Sequence, residues 1–60
     1  MTPEARAARA ARNRRRIARL TLRIARGRRG SAEVAAWVGE RDALKTENET
    51  LAAMAERKQA

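Results

Sequence analysis

The stretch RAARNRRRIARLTLRIARGRRGS, residues 9–31, decides how this 60-residue chain is organised. Residues 9–29 hold three seven-residue repeats, each with arginine at its first and fourth positions. A period of seven returns each repeat to nearly the same face of an α-helix. Gly27 and Gly30 then interrupt the pattern, and Ser31 is a residue that commonly caps a helix. The stretch therefore predicts a basic helix, a turn and the start of a second helix.

The ends of both helices are marked by residues that suit them. Thr2 is a capping residue, Pro3 tolerates the first helical position, and Glu4 favours the positive end of the helix dipole. Gly27 suits a left-handed position at the end of the first helix. We therefore predict helices over about 3–26 and 32–58. The organisation is an arginine-rich amphipathic helix (1–27), a turn (28–30) and a helix for self-association (31–60).

Two rows of arginines follow the first helix about 60° apart on a wheel of 3.6 residues per turn. The rows are Arg9, Arg16 and Arg23, and Arg12, Arg19 and Arg26. The opposite sector is apolar and holds Ala10, Ile17, Leu20 and Ile24. Residues 1–30 contain eleven arginines against Glu4 alone, whereas residues 31–60 are mildly acidic. Such a division predicts that the basic half binds a partner electrostatically and that the other half has a role that does not depend on charge.

The second helix carries a heptad pattern typical of a coiled coil. Position a holds Val34, Arg41, Asn48 and Ala55, and position d holds Trp37, Leu44, Leu51 and Lys58. An Asn at a buried a position selects a parallel dimer, because there it meets its twin's amide. In that dimer Glu40 at position g would face Lys45 at position e of the second copy. The fold prediction is accordingly all-α, with the second helix forming a short parallel coiled-coil dimer. Its self-association residues are Val34, Trp37, Leu44, Asn48 and Leu51.

A helical hairpin is the alternative fold. In it the first helix folds back, so that its large apolar residues cover Val38 and Leu44; four residues suffice to connect antiparallel helices. The heptad frame of the first helix does not continue into the second, which favours two elements acting separately.

The basic helix predicts binding to nucleic acid, DNA or RNA, because arginine meets phosphates and guanine edges in a bidentate way. The candidate binding residues are Arg9, Arg12, Asn13, Arg14, Arg15, Arg16, Arg19, Arg23, Arg26, Arg28 and Arg29. The segment 11–16, ARNRRR, resembles the arginine-rich RNA-binding helices of retroviral export regulators and phage antiterminators. That resemblance implies that Asn13 reads a base pair. Trp37 is expected in an interface core rather than stacked on a base.

Two other functions are alternatives to nucleic-acid binding. One alternative is a structural or assembly protein, such as a phage or virion component, whose basic arm docks on an acidic protein surface. Another is a cationic helix lying on a membrane surface. We expect no enzyme, cofactor, metal or small-molecule substrate, since His, Cys and Tyr are absent. Without a long apolar run, the chain is expected to be neither secreted nor transmembrane, and cytoplasmic, nucleic-acid-associated or in a virion.

Overall fold

The computed structural model describes the backbone of residues 1–59 and the side-chain surroundings of residues 1–57. The chain forms two α-helices, α1 (Pro3–Arg26) and α2 (Ala32–Gln59), which pack antiparallel as a hairpin. The hairpin is a rod 44 Å long. The predicted all-α class and the two helices are confirmed, and the hairpin is the arrangement that the single chain adopts. The parallel dimer stays a prediction.

Both helices begin directly after the capping residues that the sequence predicts. The Thr2 hydroxyl accepts a hydrogen bond from the amide of Ala5 at 3.0 Å, and Pro3 is the first residue of α1. The Ser31 hydroxyl accepts from the amide of Val34 at 3.2 Å. Each cap satisfies an amide that has no partner within its own helix. Local capping chemistry therefore accounts for both helix starts.

The turn between the helices differs from its prediction. Gly27 is extended, with φ −77° and ψ 165°, so the expected left-handed Gly27 is wrong. The left-handed residue is Gly30, with φ 81°. The amide of Gly27 still donates to the carbonyl of Ile24, which closes α1, and the chain reverses three residues later. A glycine is needed at position 30, because a residue with a side chain would lose roughly 1–2 kcal/mol of stability at this positive φ.

Most of the apolar core lies at the turn end of the hairpin. Leu20 is fully buried. Ile17 and Ile24 of α1, and Val38 and Leu44 of α2, are half-buried. The side of α1 that faces α2 continues toward the open end with Asn13 and Arg6, which are also buried. Leu51 of α2 is buried at the open end as well, so the apolar core is concentrated at the turn end without being confined to it.

The heptad row of α2 lies against α1. Asn48 hydrogen-bonds to α1, Leu51 is buried, and Val34 and Leu44 are half-buried. The expectation that the helices act separately is wrong, because antiparallel neighbours need no continuous heptad frame across the turn. Lys58, predicted at position d, lies outside the residues whose side chains are described. Self-association through the row stays a prediction, and it requires side chains that the hairpin already uses.

Neither helix, over the residues described, is long and apolar enough to cross a membrane.

Candidate nucleic-acid interface

Most of the predicted binding residues are exposed on the hairpin. The exposed arginines without an ion pair to α2 among the described residues are Arg12, Arg14, Arg15, Arg19, Arg23, Arg26, Arg28 and Arg29. We call Arg12, Arg19 and Arg26 the outer row, because a helical wheel places them on the side of α1 turned away from its buried residues. Arg15 lies on the same side. Arg14 lies on the opposite flank of α1.

The inner row, Arg9, Arg16 and Arg23, lies beside α2, and two of its members bind glutamates there. Arg9 holds both carboxylate oxygens of Glu47, through Nε and, at 3.1 Å, through Nη2. Arg16 holds Glu40 in the same way, with contacts of 3.1–3.2 Å. Glu40 was expected to face Lys45 of a second copy. In the hairpin it binds Arg16 of its own chain instead.

The sequence contains a signal for these ion pairs. Glu33, Glu40 and Glu47 recur every seven residues, as the inner row does. In the antiparallel hairpin two of these three glutamates, Glu40 and Glu47, meet arginines of the inner row, whereas a parallel dimer leaves this match unused. The spacing of the acidic residues is therefore a mark of the hairpin that the sequence analysis missed.

Asn13 lies inside the hairpin, with 8% of its surface exposed. Its amide nitrogen donates to Glu47 Oε1 at 2.7 Å and to Asn48 Oδ1 at 2.9 Å. The Asn48 amide in turn donates to the Ala10 carbonyl at 3.3 Å. Asn48 thus meets an asparagine of its own chain, in the way it was expected to meet its twin. While the hairpin is closed, these contacts occupy the Asn13 amide that was expected to read a base pair.

The Glu47 carboxylate is held in its charged form. Hydrogen bonds from Arg9 and then from Asn13 lower the pKa of Glu47 to about 2, and partial desolvation opposes this shift. The same hydrogen bond raises the pKa of Arg9. Hydrogen bonds to an ionised carboxylate favour the ionised form, which makes the contact dependent on pH.

We expect the hairpin to lose stability as the pH falls from about 4.5 towards 2. In that window the unfolded chain binds a proton at Glu47 that the folded chain does not bind, so the free energy of unfolding decreases with decreasing pH. In Glu47→Gln this part of the decrease should disappear. Thermal unfolding followed by circular dichroism at several pH values measures it. Glu49→Gln, at an exposed position of α2, is the matched control and should keep the wild-type slope. Parallel curves for wild type and Glu47→Gln would contradict the assignment.

Arg6 is a buried residue that the sequence analysis did not single out. It is 8% exposed, and its Nη1 donates to the Met1 carbonyl at 3.5 Å. Arg6 and Leu51 line a groove of about 460 Å³ at the open end of the hairpin, to which Arg14 also contributes. The signal was its spacing: Arg6, Asn13 and Leu20, the three buried residues of α1, are seven apart. Arginine tolerates such a place because its long alkyl stem can pack against apolar neighbours while its guanidinium group keeps a hydrogen bond, here to Met1.

The hairpin thus separates its charges. The outer row, the turn arginines Arg28 and Arg29, and Arg23 of the inner row are exposed, while Arg9 and Arg16 of the inner row bind acidic side chains of α2. Within the described residues, no group of three acidic, His or Cys side chains is arranged to hold a metal ion. Comparisons with protein-family models, with curated proteins and with solved structures found nothing that matches this chain.

Proposed function

We propose that this protein binds nucleic acid through the exposed arginines of α1 and the turn, chiefly by contacts to phosphates, and is not an enzyme. The observation that carries the proposal is the outer row, three exposed arginines along one face of α1. Arg12 and Arg26 are separated by roughly 21 Å at 1.5 Å per residue. Lined-up arginines release counterions when they neutralise phosphates, which drives binding.

In this proposal α2 supports the binding helix. Exposed arginines three and four residues apart repel one another and weaken an isolated helix. Glu40 and Glu47 neutralise two inner-row charges, and Leu20 fixes α1 against α2. Arg9, Arg16 and Asn13 therefore hold the hairpin together, and phosphate contacts come from the outer row, Arg15, Arg28 and Arg29.

We expect Arg12→Gln/Arg19→Gln to weaken binding and to reduce its dependence on salt. Each lost phosphate contact lowers the slope of log K against log salt by about 0.9 for duplex DNA, so the pair should lower it by roughly 1.8. Fluorescence anisotropy with labelled duplex DNA and hairpin RNA, titrated from low to high salt, measures the slope.

The matched control is Arg9→Gln/Arg16→Gln, which removes two charges with the same spacing of seven. These charges are already paired with glutamates, so the slope should change less, while the thermal stability of the hairpin should fall. Equal slopes for the two double variants would remove the outer row from the mechanism. Circular dichroism at the binding temperature checks that both variants remain helical.

An assembly protein is the second candidate, and the inner row favours it because it shows these arginines binding carboxylates within the chain. The outer row would hold an acidic protein surface by the same chemistry. An acidic protein that displaces labelled DNA at stoichiometric amounts would support this candidate. The membrane-surface alternative requires the apolar side of α1, which α2 covers at Leu20.

A further inference from the structure

A small open cleft lies on the hairpin beside the turn. It has a volume of about 260 Å³ and is lined by Leu22, Arg23, Arg26, Gly27 and Trp37. Trp37 is the single aromatic residue of the chain and is half-buried. Part of the indole therefore packs in the interface while part of it lines a cleft that is open to solvent.

Gly27 is what brings the indole against α1. A Cβ atom at this position would lie 2.5 Å from Val34 Cγ2 and 3.1 Å from Trp37 Cζ3. Any other residue would push the indole or the valine aside. Gly27 is extended, with φ −77°, so the glycine serves close approach rather than an unusual backbone.

Two further side chains give the cleft its chemistry. Leu22 is 59% exposed and has no part in the core, so it provides an apolar wall. Arg23 and Arg26 are exposed and stand one helical turn apart on the rim. An aromatic ring, an apolar wall and two guanidinium groups together fit a flat, apolar group that carries a negative charge on either side.

We propose that this cleft binds an unpaired base of single-stranded nucleic acid, with the base against Trp37 and Leu22 and its flanking phosphates on Arg23 and Arg26. The inference rests on the proposed function and adds a preference for unpaired nucleotides. A base within a duplex is stacked on its neighbours and does not present its face, whereas a loop or single strand does. Stacking on an aromatic side chain accepts any base, so the preference concerns strandedness rather than sequence.

The natural fluorescence of the protein reports on this cleft alone, because Trp37 is its single tryptophan and no tyrosine is present. The full-length chain is titrated with three probes: a single-stranded oligothymidylate, an abasic strand of the same length, and inorganic polyphosphate. We expect the oligothymidylate to quench Trp37 and to bind roughly tenfold more tightly than the abasic strand, within the range for stacking of one base. The other two probes should bind with little quenching.

A variant separates the base contact from the charge contacts. In Trp37→Leu the oligothymidylate should bind no more tightly than the abasic strand, while polyphosphate binding should be unchanged. Leu22→Ser, at an exposed position, provides a second variant that leaves the core intact and should reduce the preference in the same direction.

The outcomes distinguish this inference from the proposed function. Equal affinities for the thymidylate and abasic strands, with Trp37 unquenched, would overturn the base site and leave phosphate binding in place. Failure of all three probes to bind would overturn both. If Trp37→Leu does not fold, the quenching and the affinity ratio measured on the wild-type chain decide alone.

Discussion

Replacing Leu20 by alanine should unfold most of the hairpin. Leu20 is the one fully buried side chain among the described residues, and it lies where the apolar core is concentrated. Truncating a buried leucine to alanine costs about 2–5 kcal/mol, from lost burial and from the cavity left behind. A core in a chain of this size rarely supplies more than about 3–5 kcal/mol. The helical signal in circular dichroism should therefore fall strongly at room temperature.

Leu22→Ala is the control for this experiment. It makes the same chemical change two residues away on the same helix, at a side chain that is 59% exposed. Its unfolding free energy should stay within about 0.5 kcal/mol of the wild-type value. If both variants lost equal stability in urea or thermal unfolding, burial of Leu20 against α2 would not be what holds α1, and the described core would be wrong.

Replacing Gly27 by alanine should give the second large loss of stability. The added methyl group would lie 2.5 Å from Val34 Cγ2 and 3.0 Å from the Arg23 carbonyl oxygen, and the carbonyl belongs to the backbone. The helices must therefore separate near the turn or Val34 must leave its place. Overpacking of this kind costs about 1–3 kcal/mol. We expect a lower urea midpoint and, since Trp37 moves with Val34, a shifted tryptophan emission.

Gly39→Ala tests the same substitution where there is space. Gly39 lies within α2 and nothing stands within 4 Å of a Cβ built there. Alanine should therefore stabilise the helix by roughly 0.5–1 kcal/mol, because glycine is a poor residue for a helix interior. The two substitutions should change stability in opposite directions. A gain at both positions would mean that the helices do not approach each other at Gly27.

The polar layer at the middle of the hairpin explains how its register is held. Asn13 donates hydrogen bonds to Glu47 and Asn48, and Arg9 binds the same Glu47 carboxylate from the exposed side. A shift of either helix by one turn would leave buried amides without partners, which costs about 1–3 kcal/mol for each group. At the open end the interface continues with the buried Leu51, Arg6 and alanines. Polar contacts therefore set the alignment at the middle of the hairpin, between the apolar residues at its two ends.

Local chemistry in the sequence determined the helices themselves. Thr2 and Ser31 cap their starts, the repeats of arginine and alanine suit a helix, and glycines interrupt the chain at the turn. These effects act over three or four residues, so they can be read without knowing the fold. The exposure of the outer row likewise follows from a period that places it away from the residues that α1 buries.

Only the tertiary structure decided which partner each polar row meets. Asn48 and Glu40 were both expected to face a second copy of the chain. Asn13 and Arg9 were expected to contact a nucleic acid. In the hairpin Asn48 pairs with Asn13, Glu40 pairs with Arg16, and Glu47 binds both Arg9 and Asn13. A heptad pattern specifies that a face is covered but not by what, since an intramolecular helix and a second chain offer similar surfaces. The position of Trp37, beside Gly27 and the exposed Leu22, was likewise decided by the tertiary structure. It depends on how closely the two helices approach each other, and no local sequence pattern encodes that distance.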